Sequence, residues 1–382
     1  MTKKVYRKSV FYHFWNGTTT NAYICLFIHS LILTVVSYIP INSNSQIFDY
    51  SFHMARIIGL AQSLDNGDYL PHLNYLFINA SGYGVPMFYG NGLLYIPALV
   101  YLLSKTATVA FSSYAFLIIL GSAWFSYYSL YQITNDKNRA FLFGLTMAAV
   151  YPFFGYGMTA VVPLIPILVY CIYKVLYKNK LNPVLLGVII AFLVQTHILS
   201  TIVLAISMGI LVLFAYKKWS WRKFLSFLAS IFLAILLSIG FIFQYLEQIK
   251  SQLFFVSWGL RDYPFKSSWI LDAGSIIDVI RNFFFPLTLL FLFVGYFFYK
   301  QLPMLSRHLL LLSLVLLVSA SNILPWQSIL KYSFLAVLQY TDRLVYFLPS
   351  FVIMALFLIK SQKVSVTIAV LQIGFFVINR TT

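Results

Sequence analysis

Long apolar stretches alternate with short basic ones along the whole chain. A helix needs about 20 apolar residues to cross a hydrocarbon core of about 30 Å. The pattern predicts eleven such segments, at roughly 22–39, 110–130, 140–157, 160–176, 184–196, 199–215, 223–246, 284–300, 308–322, 343–359 and 364–379. The first follows MTKKVYRKS, whose Lys3, Lys4, Arg7 and Lys8 mark an inner flank. Its apolar core is too long for a cleaved leader, so it reads as a retained anchor with the N-terminus in the cytoplasm.

The run 185–215 needs a separate argument. As one helix it would be about 46 Å long, well beyond the membrane core. Both of its flanks are basic: Lys178 and Lys180 precede it, and Lys217, Lys218, Arg222 and Lys223 follow. Basic flanks on both sides call for an even number of crossings, so the run is expected to turn back near Gln195-Thr196-His197. Short arms would leave that turn recessed below the outer surface.

Three stretches are too polar to span and fall outside: 41–109, 247–282 and 322–342. Within the first, 50–64 and 93–103 are amphipathic. The second of these has about half the length of a span and reads as a helix lying in the interface. The expected fold class is therefore all-α: one polytopic integral membrane domain over 1–382, with about 11 transmembrane helices and interfacial helices in a large first outer loop.

Composition agrees with this reading. Apolar residues make up 61% and charged residues 9%, with a mean hydropathy of +0.85. An ordinary soluble domain carries about 25% charged residues, and a disordered chain would be poor in aromatics. The formal charge of +17 does not call for nucleic acid, because cytoplasmic loops of membrane proteins collect Lys and Arg. On the topology above, 17 of the 26 basic residues lie inside with a single acid, Asp136, whereas nine basic and eight acidic residues lie outside. Cys25 and Cys171 both sit within apolar runs, so no disulfide framework or thiolate metal site is expected.

Polar residues are expensive in a membrane and mark function when they cluster. Here they crowd into the three outer stretches, and the turn at His197 opens to the same side. In the first loop Asp49, His53 and Arg56 share one helical face. Asp65-Asn66-Gly67-Asp68 reads as a helix stop and turn, and Gly82, Gly84, Pro86, Gly90, Gly92 and Pro97 as a tight loop entering the interfacial helix. His29 and His308 lie at or in spans, where packing accounts for them. Asp49 with His53 offers two ligands toward a divalent metal, without a third or fourth.

The run D-Y-S-F-H at 49–53, the amphipathic stretch after it, G-Y-G-V-P-M-F-Y at 82–89, Gln195-Thr196-His197, and I-L-P-W followed by L-Q-Y-T-D-R at 338–343 together resemble GT-C glycosyltransferases. The likeness is greatest to the YfhO-type, or 6-pyruvoyl-tetrahydropterin synthase-related, bacterial membrane proteins. The resemblance implies a membrane glycosyltransferase that inverts configuration, uses a polyprenyl-phosphate-linked sugar donor at the outer face, and modifies an envelope glycan or lipid acceptor. It places the catalytic base at Asp49. Arg343 would clamp the donor phosphate, with Arg261 as a second cation and His53, His197 and Gln339 as supporting groups. The stretch 157–166, GMTAVVPLIP, carries no charge where such proteins commonly have an Arg and a Glu. Rival readings are a flippase or exporter of lipid-linked saccharides, a polymerase of them, and a non-catalytic partner with the same fold.

Overall fold

The computed structural model describes residues 19–38, 50–151, 157–251, 285–320, 324–325, 338 and 341–381. Among these there is no strand, only an isolated antiparallel bridge between Asn74 and Tyr83. In chain order the helices are α1 Thr19–Tyr38, α2 Tyr50–Asp65, α3 Val85–Phe88, α4 Tyr95–Ser104, α5 Ala107–Thr134, α6 Lys137–Ala148, α7 Leu164–Lys178 and α8 Pro183–Thr196. They continue with α9 Ile198–Phe214, α10 Trp221–Leu237, α11 Ile239–Ser251, α12 Phe285–Phe297, α13 Met304–Ser319, α14 Leu348–Phe357 and α15 Gln362–Thr381.

Local chemistry sets the boundaries. Asp136 caps α6 by accepting from the Arg139 N–H at 3.1 Å, and its second oxygen takes Arg139 Nε at 2.7 Å. Asn182 caps α8 through the Leu185 N–H, and Pro183 follows at a position that needs no donor. Asn135 and Asn179 end α5 and α7 in the left-handed conformation that Asn tolerates. At the end of α2 the Gly67 N–H reaches the Leu64 carbonyl and the Asp68 N–H the Ser63 carbonyl, with Gly67 at φ 81°. This is a Schellman closure, and it realises the stop expected at 65–68.

Packing uses small residues for close approach. A Cβ on Gly144 would sit 2.8 Å from the Ala123 carbonyl oxygen, and one on Gly187 2.8 Å from that of Ser230. These glycines bring α6 onto α5 and α8 onto α10, as tight helix pairs in lipid require. Helix α14 is buried from Leu348 through Phe357, so its all-round apolarity is that of a central helix. Other helices turn large apolar side chains outward: Ile24, Ile28, Leu31 and Ile32 on α1, and Leu228, Ile231, Phe232 and Ile235 on α10. Arg139 is buried and donates from Nη1 to the Ile359 carbonyl at 2.9 Å, tying the start of α6 to the end of α14.

By length and composition, Thr19–Ser37 and Ala107–Thr134 are apolar enough to cross a membrane. A third candidate is Trp221–Leu237 with Ile239–Gln248, which is bent by 68°. The other described apolar segments are shorter helices, among them Pro183–Thr196, Ile198–Phe214 and Met304–Ser319. The run 185–215 does break at His197, where the backbone extends to φ −160° and ψ 104°. The segment expected as one span at 223–246 bends at Ser238. Gln195 Nε2 donates there to the Leu237 carbonyl and the Ser238 hydroxyl, both at 3.3 Å. An inserted side chain of this kind is a recognised cause of a sharp kink.

Candidate functional site

Helix α2 begins one residue after Asp49 and turns His53, Met54, Arg56, Ile57, Leu60 and Ala61 inward. The i, i+3 spacing brings His53 and Arg56 together on that face. Arg56 Nη1 donates to His53 Nδ1 at 3.1 Å, and Nη2 donates to the carbonyls of Tyr89 at 3.0 Å and Gly90 at 3.2 Å. The guanidinium also lies over the Tyr89 ring, 5.0 Å from its centroid, a cation–π contact that holds the ring in place. Its Nε is buried and has no hydrogen-bond partner among the described residues.

The loop that carries Tyr89 and Gly90 is pressed against the end of α8. A Cβ on Gly90 would lie 1.7 Å from the Gln195 carbonyl oxygen, so only glycine allows the approach. His197, two residues on, closes α8 and opens α9. Its Nδ1 accepts the Ser200 N–H at 3.2 Å and lies 2.7 Å from the Ser200 hydroxyl. The Tyr89 ring stands 5.1 Å from the His197 ring and 6.0 Å from that of His53. Gly157 keeps this space clear, since a Cβ there would come within 2.9 Å of His197 Nε2 and 2.8 Å of Tyr89 Cε1.

These bonds assign the tautomers. Both imidazoles accept at Nδ1, so each carries its proton on Nε2. Burial, then the Arg56 guanidinium, then His197 push His53 down to about 2. Burial, then Arg343, then Arg56 push His197 down to about 3. Both rings are therefore neutral donors at physiological pH. Burial also lowers Arg56, and the nearby Tyr114 and Tyr89 oppose that shift. Arg343 is half-buried on the one-turn helix Thr341–Leu344, which packs against α9 and α13, and its Nη1 donates to the Leu338 carbonyl at 2.9 Å. Among the described residues the ion pair found is Asp136–Arg139, so no described carboxylate matches the charge of Arg56. Among the described residues the cluster is rich in N–H donors, a setting that favours anionic oxygen.

Of the residues singled out from the sequence, His53 and His197 come together around Tyr89, and the field of Arg343 reaches His197. Asp49, Arg261 and Gln339 lie outside the described residues. Arg56 had been placed only on the shared face with Asp49 and His53, yet it bonds His53, Tyr89 and Gly90 together. Tyr89 and Gly157 stood inside stretches noted in the sequence, 82–89 and 157–166, without a role of their own, and Ser200 was missed. His29 Nε2 meets the Leu145 carbonyl at 3.2 Å and His308 bonds Tyr177, in keeping with packing roles. Among the described residues no three His, Cys, Asp or Glu side chains gather as metal ligands would. No family model, curated protein or solved structure matches this chain.

Proposed function

We propose that the chain is a multi-pass membrane glycosyltransferase of GT-C type, working at the outer face of the cell membrane on a polyprenyl-phosphate-linked sugar. The observation that carries this reading is the convergence of three distant segments on one donor-rich cluster. These are α2 with His53 and Arg56, the loop with Tyr89 and Gly90, and the α8–α9 junction with His197; the turn bearing Arg343 packs against α9. The outward apolar faces of α1 and α10 support placement in lipid, and the excess of basic residues on the inner loops supports an outward-facing site.

In the proposed reaction Asp49 takes the proton of the acceptor hydroxyl as that oxygen attacks the anomeric carbon of the donor. The bond from that carbon to the phosphate oxygen breaks, its electron pair leaves with the polyprenyl phosphate, and the configuration inverts. Phosphate leaves as an anion and needs charge stabilisation more than a proton. Arg343 supplies a guanidinium matched to phosphate oxygens, with Arg261 as a second cation. The Nε2–H groups of His53 and His197 and the amide of Gln339 add neutral hydrogen bonds. The acceptor is an envelope glycan or a lipid.

Asp49→Asn tests the assignment, because it removes basicity with almost no change in volume. Purified in lipid and given a labelled polyprenyl-phosphate sugar, the variant is expected to transfer about 10²- to 10⁴-fold more slowly than the parent, with an unchanged melting temperature. Transfer at the parent rate would overturn the base assignment.

A further inference from the structure

The first outer loop contains a surface that the sugar-transfer chemistry does not use. From Leu73 to Ser104 the sequence holds no Asp, Glu, Lys or Arg. Part of this stretch forms a tongue at 74–83. Its base is closed by paired bonds between Asn74 and Tyr83, at 2.9 Å and 3.1 Å. The Asn74 side chain pins it to α2, donating to the Ala55 carbonyl at 3.2 Å, at a spot where a Cβ on Gly59 would fall 2.0 Å from Asn74 Oδ1. Phe77 packs inward on Phe52 and Tyr83. The tip turns through Ile78, Asn79 and Ala80, all three with positive φ, a conformation that non-glycine residues seldom adopt in succession.

A pinned, strained tongue could be polar and face water, but this one is apolar outward. Ile78 is 62% exposed and Tyr75 53%. Tyr69 and Leu70, just before the tongue in the chain, are exposed as well, and a bond from Tyr95 Oη to the Tyr69 carbonyl at 2.7 Å ties this segment to α4. On α4 the apolar surface extends through Ile96 and Leu103. Uncharged, aromatic-bearing surface of this extent marks an interaction site.

We propose that the tongue 74–83 and the exposed side of α4 together form a plate that rests on the lipid surface of the outer leaflet. The continuity with α4, an apolar helix too short to span, selects lipid as the occupant. Depth follows from the backbone. The tip exposes Asn79, Ser81 and its own peptide groups, which must stay hydrated, so the plate sits at headgroup level. There tyrosines such as Tyr69 and Tyr75 are favoured. The inference depends on this loop lying at the outer membrane surface and is independent of sugar transfer.

The test uses the full chain with Cys25 and Cys171 changed to Ser, carrying Ile78→Cys labelled with an environment-sensitive fluorophore. It is reconstituted in nanodiscs of phosphatidylcholine and phosphatidylglycerol. The exposed Asp65→Cys serves as the water-facing reference, and Leu70→Cys repeats the measurement should the Ile78 variant fold poorly. The expected result is several-fold weaker quenching by iodide at 78 than at 65, and strong quenching by lipids spin-labelled near the headgroup. Iodide quenching equal to that at 65 would overturn the proposal. So would disulfide formation between two copies of the unlabelled Ile78→Cys variant, together with absence of lipid quenching in the labelled one, which would assign the plate to a second copy of this chain. Loss of sugar transfer in any variant leaves these readouts unaffected, so the two proposals fail separately.

Discussion

Gly90→Ala is the sharpest perturbation this structure offers. Gly90 is not in the left-handed region, so the substitution adds no conformational strain and its whole effect is steric. The new Cβ would stand 1.7 Å from the Gln195 carbonyl oxygen and 2.7 Å from its carbon. Ordinary van der Waals contact needs roughly twice the first distance. Both partners are backbone, and no rotamer can relieve the clash. The loop must back away from α8 by about 1.5 Å. That movement breaks the bonds from Arg56 Nη2 to the Tyr89 and Gly90 carbonyls, now 3.0 Å and 3.2 Å. Overpacking costs about 1–3 kcal/mol, and a hydrogen bond from a charged donor adds about 1.5–3 kcal/mol. With both bonds lost the total is about 4–9 kcal/mol. Gly92→Ala provides the control two residues away, because a Cβ there meets nothing within 4 Å. In detergent thermal unfolding Gly90→Ala should melt at least roughly 8 °C below the parent, taking about 2 °C per kcal/mol, while Gly92→Ala stays within about 0.5 kcal/mol of it. Equal melting of the two variants would refute the account of how the loop is held.

The remaining predictions concern protonation and the tongue. His53 and His197 are held at about 2 and about 3, below the unfolded value of about 6.5. The unfolded chain therefore binds protons that the folded one refuses. Stability is full well above pH 6.5 and is lost as pH falls through and below it, by about 1 kcal/mol for each imidazole between about pH 6.5 and 5.5. His197→Asn should remove half of that slope, and a melting temperature unchanged between pH 7.5 and 5.5 would contradict the burial of both rings. Gly59→Ala places a Cβ 2.0 Å from Asn74 Oδ1 and should free the tongue. Limited proteolysis within 74–83 is then expected to quicken about tenfold, whereas Gly209→Ala, with nothing near its Cβ, should leave the rate unchanged.

Local features were legible in the sequence where their causes are local. The stop at 65–68 depends on a glycine and two carbonyls of the same helix. The helix expected at 93–103 is found at Tyr95–Ser104, and the break at His197 depends on a side chain that caps its own next turn. The bend at Ser238 was hidden because its partner, Gln195, is distant in sequence. Some helices, such as those expected at 160–176 and 343–359, came out shorter for a related reason, whereas the one expected at 110–130 runs longer, from Ala107 to Thr134. Hydropathy counts apolar residues, whereas turns such as Thr159–Val161 and Thr341–Leu344 interrupt the helices without changing that count. In the site, His53 and His197 were visible as rare ionisable groups in a greasy chain. Tyr89 was one tyrosine among 28, and its role comes from Arg56 beneath it and Gly157 beside it. The stretch 157–166 drew notice for the charge it lacks. At Gly157 it supplies clearance for two rings, and the buried guanidinium beside them comes from α2.

Gln195 takes part in two junctions at once. Its main-chain oxygen abuts Gly90, and its side-chain amide fastens the elbow where α10 becomes α11. Beyond that elbow α11 leans back on the same loop, with Tyr245 against Phe88 at 6.0 Å. Loop, elbow and helix end thus form a closed mechanical ring, hinged on one glutamine. Moving any member shifts the footing of the loop that carries Tyr89, so substitutions on α11 are expected to alter the imidazoles' surroundings without touching them.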